Sequence, residues 1–323
     1  MNQLTKAKII GYSARIGTVI IFGSTPIALR KLALDGLETQ LVVGLQLLGG
    51  GIFLILFTLP FQLIGRMEYK FSQLFRSKYF WFSSVALAIN LALFYTGLQY
   101  TIATDAQLIV GFMPLLMLVY ATYKWRNRIS YLENRNNLLK IFRYTLFGIA
   151  GIAFLVLART ESSGLEISSR AKLIGDMIIL IAITFSVISL INRKEFIYDH
   201  PQHSSLVFNA FSMLIAGILF IPFIPLEGLT RLSGSQFLIL FLAIVIPTAI
   251  AYVLAHVVHR YLSLMPAIIT LSFSALITII LDRIFLQTKL SWPVLTGAIL
   301  IICASIAADR LHSKTANPQK RIF

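Results

Sequence analysis

The sequence predicts an all-α integral membrane protein in which ten transmembrane helices form two inverted five-helix repeats. Three observations support this prediction. Of the 323 residues, 57% are hydrophobic and only 13% are charged, whereas soluble domains have roughly half apolar and about a quarter charged residues. Long apolar stretches recur along the chain, and the second half repeats features of the first. A single cysteine excludes a disulfide framework or a Cys-rich metal cluster, and the apolar content excludes a disordered chain.

The predicted helices follow from the length of each apolar stretch. A spanning helix needs about 20 mostly apolar residues, because the hydrocarbon core of a bilayer is about 30 Å thick. Short loops and two tails remain, with no room for a soluble domain. A closed β-barrel would need alternating polar and apolar residues, and runs such as Ile178–Ile183 do not alternate. Ten stretches qualify, at 16–33, 41–63, 81–99, 106–123, 141–158, 173–192, 205–225, 237–257, 266–282 and 292–308.

The first apolar stretch follows Lys6, Lys8 and Arg15, and it superficially resembles a signal peptide. It continues through Gly23-Ser24-Thr25-Pro26 to Leu34 with no convincing small-residue cleavage site. We therefore expect an uncleaved first helix.

The distribution of lysine and arginine predicts the orientation of the helices. If the chain starts in the cytoplasm and crosses ten times, 20 of the 28 Lys and Arg residues fall on the cytoplasmic side and 8 on the other. Cytoplasmic loops of membrane proteins carry such an excess. Both termini are therefore expected in the cytoplasm, and the formal net charge of +15 indicates membrane topology and anionic lipid rather than nucleic acid.

The two halves of the chain resemble each other. Shifted by 163 residues, Phe22 falls on Phe185 and Arg30-Lys31 falls on Arg193-Lys194. Five helices in each half is an odd number, so the second half must be inverted, as in many secondary transporters. Chance matching between two apolar stretches is the alternative. The predicted organisation is a first repeat at 1–158, a second repeat at 173–308 and a basic cytoplasmic tail at 309–323.

Three segments carry a resemblance to a known family, and they are Phe22–Ala28 with Leu45-Gln46, Ala92–Thr101 continuing to Met113-Pro114-Leu115, and His256–Ser274 with Leu290-Ser291 and Gly297-Ala298. In these segments the chain resembles the drug/metabolite transporter superfamily, specifically its ten-helix EamA-type branch. Phe22 stands where that family commonly has Trp. The family's glycine-glutamate pair is missing at Arg126-Asn127-Arg128 and at Gln287-Thr288-Lys289. The resemblance implies tandem EamA-like repeats and transport, with export suggested and the substrate left open.

The eighth predicted helix has the clearest polar pattern. Thr248, Tyr252 and His256 are spaced by four residues and so share one face, and Pro247 is expected to bend the helix before them. The face would line a substrate path. Interhelical hydrogen bonding, worth only about 0.6 kcal/mol on average in membranes, is the alternative. His256 would carry any proton coupling, since it is the ionisable residue nearest a helix middle, and a neutral imidazole donor is the simpler interpretation.

Other polar residues within the predicted helices are further candidates, because such groups are costly in a membrane without a partner or a cavity. On the third helix we favour Tyr95 and Gln99, while Asn90 points about 140° away from Tyr95 at about 100° per residue. Each single candidate is about as consistent with a structural hydrogen bond as with substrate contact. The substrate-binding candidates are Phe22, Ser24, Gln46, Tyr95, Gln99, Gln107, Ser186, Asn209, Thr248, Tyr252, His256, Thr270 and Ser274.

These patterns favour a secondary transporter, as a probable exporter, of a small organic metabolite such as an amino acid, vitamin or amphipathic compound across the bacterial inner membrane by alternating access. The cavity is expected to be polar but largely uncharged. One alternative is a flippase of a lipid-linked substrate, with Arg30-Lys31 holding a phosphate, although snorkelling explains these cations more simply. A less favoured alternative is a membrane-embedded lipid-modifying enzyme. The expected partners are the metabolite and membrane lipids, with a homodimer left open, and we expect no nucleic acid, metal or cofactor.

Overall fold

The structure is a computed structural model that describes residues 3–63, 71–124, 135–157, 168–230, 232–261, 264–287 and 291–315. In these residues the regular structure is helical throughout. The helices are α1 (Gln3–Leu34), α2 (Thr39–Leu63), α3 (Phe71–Arg76), α4 (Lys78–Tyr100), α5 (Ala103–Val110), α6 (Met113–Lys124), α7 (Arg135–Leu157), α8 (Ser169–Asp199), α9 (Ser205–Phe220), α10 (Leu226–Thr230), α11 (Gly234–Leu240), α12 (Ile246–Tyr261), α13 (Leu264–Phe285) and α14 (Trp292–Thr315).

The prediction of an all-α membrane protein is confirmed. Large apolar side chains such as Ile16, Phe82 and Ile299 are exposed on the outside of the bundle, as a lipid environment requires. The number of ten crossings stays a prediction, because among the described residues six helices are long and apolar enough to span a bilayer and two further apolar helices are shorter, at 103–117 and 292–304. The six are Ile9–Leu34, Thr39–Pro60, Lys78–Tyr100, Ser169–Asp199, Ser205–Phe223 and Gly234–Val258.

Two of the predicted membrane helices are irregular near their middle. The fourth is divided into α5 and α6, with a turn at Gly111-Phe112 just before Pro114. Proline has no N–H to continue the helical hydrogen bonds, so the break falls beside it. The eighth contains a π-helical turn at Phe241–Val245, in which the Ile246 amide bonds the Phe241 carbonyl. This turn directly precedes Pro247, where the sequence predicts a bend.

The helices of the first half pack on those of the second in a reciprocal way. α2 packs on α9, α5 on α13 and α7 on α14, so that the corresponding helices of the two halves meet. α4 packs on α8, and α1 packs on α12, which is the same pairing with the two halves exchanged. The main hydrophobic core, which includes Leu47, Ile109, Ile183 and Ala210, therefore lies between the halves rather than inside each one.

Glycine allows a close contact between α4 and α8. A Cβ placed on Gly175 would lie 2.9 Å from the carbonyl oxygen of Gly97, and one on Gly97 would lie 2.5 Å from the side chain of Ile179. Small residues commonly let membrane helices approach in this way. The result is that α8 lies directly against α4 at the end where Thr101 and Asp176 meet.

Candidate functional site

A central cavity of about 250 Å³ lies among α1, α2, α4, α5, α6, α8, α9 and α12. Helices of both halves therefore form its wall. Such a cavity, mostly apolar with a few polar groups, is the usual form of a small-molecule site. The described residues that line it are Thr18, Ile21, Phe22, Thr25, Pro26, Leu29, Gln46, Leu87, Asn90, Leu91, Phe94, Tyr95, Gln107, Val110, Met113, Ile183, Ser186, Ser189, Leu190, Arg193, Asn209, Ser212, Met213, Thr248, Tyr252, Ala255 and Val258.

Four aromatic side chains contribute to the wall, namely Phe22 on α1, Phe94 and Tyr95 on α4 and Tyr252 on α12. Phe94 and Tyr95 pack edge to face, with ring centroids 6.0 Å apart. Aromatic rings offer a flat apolar surface at little cost in conformational entropy, and the tyrosines add a hydroxyl group. The wall is thus suited to an amphipathic molecule with an apolar or aromatic body.

Two buried polar atoms of wall residues have no hydrogen-bond partner in the described part of the chain, and they are the Tyr95 hydroxyl and Gln46 Oε1. The other end of the Gln46 amide is engaged, since Nε2 donates a 2.7 Å hydrogen bond to Thr248 Oγ1. A buried polar group costs about 1–3 kcal/mol when its hydrogen bond is unmade. Groups left in this state in a cavity wall are suited to meet a ligand or water.

Arg193 on α8 is the charged residue among the described residues of the wall. Its side chain is only 9% exposed, and its guanidinium donates a 2.9 Å hydrogen bond to Asn209 Oδ1 on α9. A guanidinium has five N–H donors, so this bond uses a fraction of its capacity. The expectation of a largely uncharged cavity is wrong on this point, because α8 carries a cation into the wall.

Eight of the sequence-predicted residues come together in the wall, and they are Phe22, Gln46, Tyr95, Gln107, Ser186, Asn209, Thr248 and Tyr252. Four others, Ser24, Gln99, Ser274 and His256, lie elsewhere in the described part of the chain. Ser24 bonds the Ile21 carbonyl of its own helix, and Gln99 is exposed and donates to Thr39. Ser274 is buried behind the wall, where it accepts a hydrogen bond from Gln107. The side chain of Thr270 lies outside the described residues.

His256 is the fourth of these residues, and its position has a geometric cause. Its Nδ1 lies 2.8 Å from the hydroxyl of Ser205 at the start of α9. The wall formed by α12 begins with Thr248 and Tyr252 and continues through Ala255 and Val258. Successive lining residues are thus three apart after Tyr252, and because three residues turn a helix by only about 300°, the lining face drifts away from His256.

Asn90 lines the cavity together with Tyr95, although the two side chains point about 140° apart on the helix. The lining residues of α4 include Leu87 and Phe94 between these two directions. At about 100° per residue they cover about 140° of the helix, so the cavity wraps around α4 without any bend. Asn90 also donates a 2.8 Å hydrogen bond to the Ala182 carbonyl of α8.

A buried ionic cluster lies where α4, α5 and α8 meet, at the predicted outer side. Lys172 Nζ lies 3.0 Å from an oxygen of Asp105 and 3.5 Å from one of Asp176. Thr101 donates a 2.6 Å hydrogen bond to the other oxygen of Asp176. Both carboxylates are at most 1% exposed and Lys172 is 6% exposed. Charges taken out of water in this way must be paired, so the cluster ties three helix ends together.

The same end of the bundle contains Asp282 and Arg30. The backbone amide of Thr104 donates a 3.1 Å hydrogen bond to Asp282 Oδ2, and its hydroxyl bonds the same oxygen. Arg30 is buried, and its guanidinium donates to the carbonyls of Leu98 and Gln99 at the end of α4. The expectation that Arg30 snorkels to the interface is therefore wrong, whereas Lys31 is exposed and pairs with Asp35 at 3.4 Å.

Some wall residues escaped the sequence prediction. Thr18 and Ser212 are hydroxyl residues with no distinguishing pattern. Thr25, Asn90 and Ser189 are polar residues of predicted helices, but nothing in the sequence separates them from the residues that were preferred as candidates. Arg193 did carry a signal, because it occupies the position of Arg30 under the 163-residue shift. The match indicates a repeat, and the positive charge indicates a cytoplasmic helix end, but neither shows which of the two arginines lines a cavity.

The chain is similar to known transporters along most of its length. The profile of the EamA-like transporter family matches residues 9–157 and again 173–308. The uncharacterized transporter YcxC of Bacillus subtilis (strain 168) is 23% identical over 238 residues, which cover 69% of this chain and 70% of that relative. A crystal structure with 17% sequence identity superposes with a TM-score of 0.59 over 97% of this chain and 99% of that one, and at this identity it supports the fold alone.

Proposed function

The chain belongs to the EamA-like transporter family, and on that premise we propose that it is a secondary transporter of a small organic metabolite. The metabolite would occupy the central cavity and be moved by alternating access, with export from the bacterial cytoplasm as the direction. Membership of a transporter family favours transport over a lipid-modifying enzyme. Multiple membrane-spanning helices make it a multi-pass membrane protein, and we propose the inner membrane with both termini in the cytoplasm.

The central observation behind this proposal is the wall of the cavity. It combines aromatic surface with the unpartnered polar atoms of Gln46 and Tyr95. A polar group in a membrane helix without a partner is costly, and such groups mark substrate pathways.

The proposal of two inverted repeats has two further supports. The family profile matches the chain twice, in segments that each contain five of the predicted helices. The packing is reciprocal, since α4 on α8 is matched by α12 on α1. In an inverted-repeat transporter the substrate site lies between the repeats, and access alternates as one bundle rocks against the other.

The two ends of the cavity differ in a way that suits one state of such a cycle. Towards the predicted outer side, the cluster around Lys172 holds α4, α5 and α8 together. Towards the predicted inner side, the wall continues to Arg193 and Val258 near the inner ends of α8 and α12. We therefore assign this arrangement to an inward-facing state, in which the ionic cluster is the closed outer gate.

The flippase alternative has less support than transport of a soluble metabolite. The two cations expected to hold its phosphate have partners in the protein, because the Arg30 guanidinium is engaged by two backbone carbonyls and Lys31 pairs with Asp35. A cavity of about 250 Å³ also suits a small molecule better than a lipid-linked one.

Reconstitution of the purified full-length protein in liposomes tests the proposal. Uptake of a labelled metabolite panel is measured beside scrambling of a fluorescent lipid and beside chemical conversion of the lipids, with protein-free liposomes as the blank. Saturable solute flux supports the proposal. Lipid scrambling without solute flux would support a flippase, and lipid conversion without flux an enzyme. Fusion of a fluorescent reporter to the C-terminus tests orientation, because the reporter folds only on the cytoplasmic side.

A further inference from the structure

We infer that Arg193 and Asn209 form an anion-binding end of the cavity, and that the transported metabolite is an amphipathic organic carboxylate. This inference rests on the proposed transport function and specifies its substrate class. The charged end and the aromatic wall belong to one cavity, so a single small molecule with a carboxylate and an apolar body would contact both.

The first argument is the state of the Arg193 charge. The side chain is nine-tenths buried, and its hydrogen bond goes to the neutral amide of Asn209. In the described part of the chain, Arg193 has no ion pair with an Asp or Glu. Buried charges in proteins are normally paired, so a guanidinium facing a cavity with spare donors is suited to a ligand anion.

Arg30 at the corresponding position of the first half shows what a structural arginine looks like in the same fold. It too is buried, but its guanidinium bonds two backbone carbonyls at the end of α4. It is absent from the cavity wall as described. The two arginines thus differ in their partners. The Arg30 guanidinium bonds two backbone carbonyls, whereas that of Arg193 bonds one side-chain amide and lines the cavity.

The remainder of the wall distinguishes between ligand charges. Among its described residues there is no Asp or Glu, so an ammonium group would find no counter-charge and would be repelled by Arg193. A zwitterionic amino acid should therefore bind less well than the matching carboxylate without its amino group. Arginine presents a planar fork of donors that matches the two oxygens of a carboxylate. Asn209, which holds the guanidinium, fixes the direction of that fork.

Binding measurements on the wild-type protein in detergent micelles test this inference without requiring transport. The probes share one phenylethyl body, and they are 3-phenylpropionate, 3-phenylpropanamide, phenylalanine and 2-phenylethyl phosphate. We expect 3-phenylpropionate to bind about tenfold or more tightly than the amide, the ratio that a charge-assisted hydrogen bond supplies, and more tightly than phenylalanine. Equal affinities, tighter binding of the amide or the phosphate, or no binding of the carboxylate would overturn the assignment.

Variants then locate the effect. R193Q should remove the preference for the carboxylate over the amide, while R193K should keep part of it. R30Q removes the other buried arginine and K78Q an exposed cytoplasmic cation, and both should keep the full preference. If R193Q fails to fold, the R193K and wild-type affinity ratios decide the question. Carboxylate-selective binding without flux in liposomes would contradict the proposed transport but leave the anion site standing, whereas flux without charge preference would do the reverse.

Discussion

Gln46 on α2 donates a 2.7 Å hydrogen bond to Thr248 on α12, and the bond joins the two halves of the chain inside the cavity wall. We expect T248V to change thermal stability by only about 0.6 kcal/mol, the average for an interhelical hydrogen bond in a membrane. Q46L should instead lower substrate affinity about tenfold, because it removes the whole amide of a wall residue, including the acceptor Oε1 that has no partner among the described residues. Unfolding in detergent and concentration-dependent uptake in liposomes measure the two effects. Equal effects of the two variants on affinity would show that Gln46 acts only through Thr248.

Tyr252 and His256 can now be separated, although the sequence predicts the same role for both. Y252A should reduce transport about tenfold or more at normal membrane abundance, because it removes an aromatic surface from the wall. Y252F keeps the ring and is the matched control. Uptake is measured in cells and normalised to the amount of protein in the membrane fraction. Normal flux in Y252A would remove α12 from the proposed substrate path.

For His256, the relevant partner is the hydroxyl of Ser205. We expect H256A and S205A to have similar and modest effects on transport, since each breaks the same contact between α12 and α9. Their combination should cost little more than either alone, as in a double-mutant cycle of two partners. Abolition of transport by H256A but not by S205A would restore His256 to the substrate path or to proton coupling.

Loss of the cation from the ionic cluster around Lys172 should strongly lower the thermal stability of the protein. K172M leaves the buried carboxylates of Asp105 and Asp176 facing each other, and breaking a buried pair in this way costs about 3–5 kcal/mol. The double variant K172M/D105N removes one of the two negative charges and should recover part of that stability. Thermal unfolding in detergent measures both. Wild-type stability of K172M would mean that the cluster does not hold the helix ends together.

If the cluster is the outer gate, weakening it should also expose the cavity to the outside. The Y95C substitution in a C303S background places a thiol in the wall, and we expect little labelling by a membrane-impermeant maleimide added outside. Labelling should increase severalfold when K172M/D105N is added, because the outward-facing state is then easier to reach. Unchanged labelling in a folded variant would argue against the cluster as a gate.

The glycine contact between α4 and α8 predicts overpacking. G175A would place a Cβ 2.9 Å from the Gly97 carbonyl oxygen, and overpacking of this kind typically costs about 1–3 kcal/mol. Gly234 has no atom within 4 Å of the corresponding position, so G234A is the control and should stay within about 0.5 kcal/mol of wild type. Equal unfolding temperatures for the two variants would show that α4 and α8 can separate without cost.

The positions of the helices could be predicted because hydropathy over about 20 residues is a local property. The stretch predicted at 41–63 lies within α2, and the one predicted at 81–99 lies within α4. Interruptions were harder to locate. Pro114 and Pro247 indicate that an interruption lies nearby, because proline removes a backbone donor. They do not specify its form, which is a division between α5 and α6 in one case and a π-helical turn before α12 in the other.

The wall of the cavity was predicted less completely, because a side chain's surroundings depend on helices far away in the sequence. The spacing of Thr248, Tyr252 and His256 predicts one lining face, but of these three described residues only Thr248 and Tyr252 line the cavity. His256 instead contacts Ser205, which lies 51 residues earlier in the sequence. Arg193 is 16 residues from Asn209 along the chain. In the sequence, the positive charge of Arg193 is typical of a cytoplasmic loop. The packing of α8 on α4 is what buries this side chain in the bundle.

The contrast between Arg30 and Arg193 makes the two ends of the molecule different, which two equivalent repeats would not be. Two identical halves, exchanged by rotation, would make inward- and outward-facing forms equal in energy for any solute. Here one arginine secures the outer ends of helices while its counterpart meets the cavity near the opposite face. If the halves are the proposed inverted repeats and Arg193 binds the transported anion, that anion meets unequal attraction from the two compartments, and we expect the loading and unloading steps of the cycle to have different affinities.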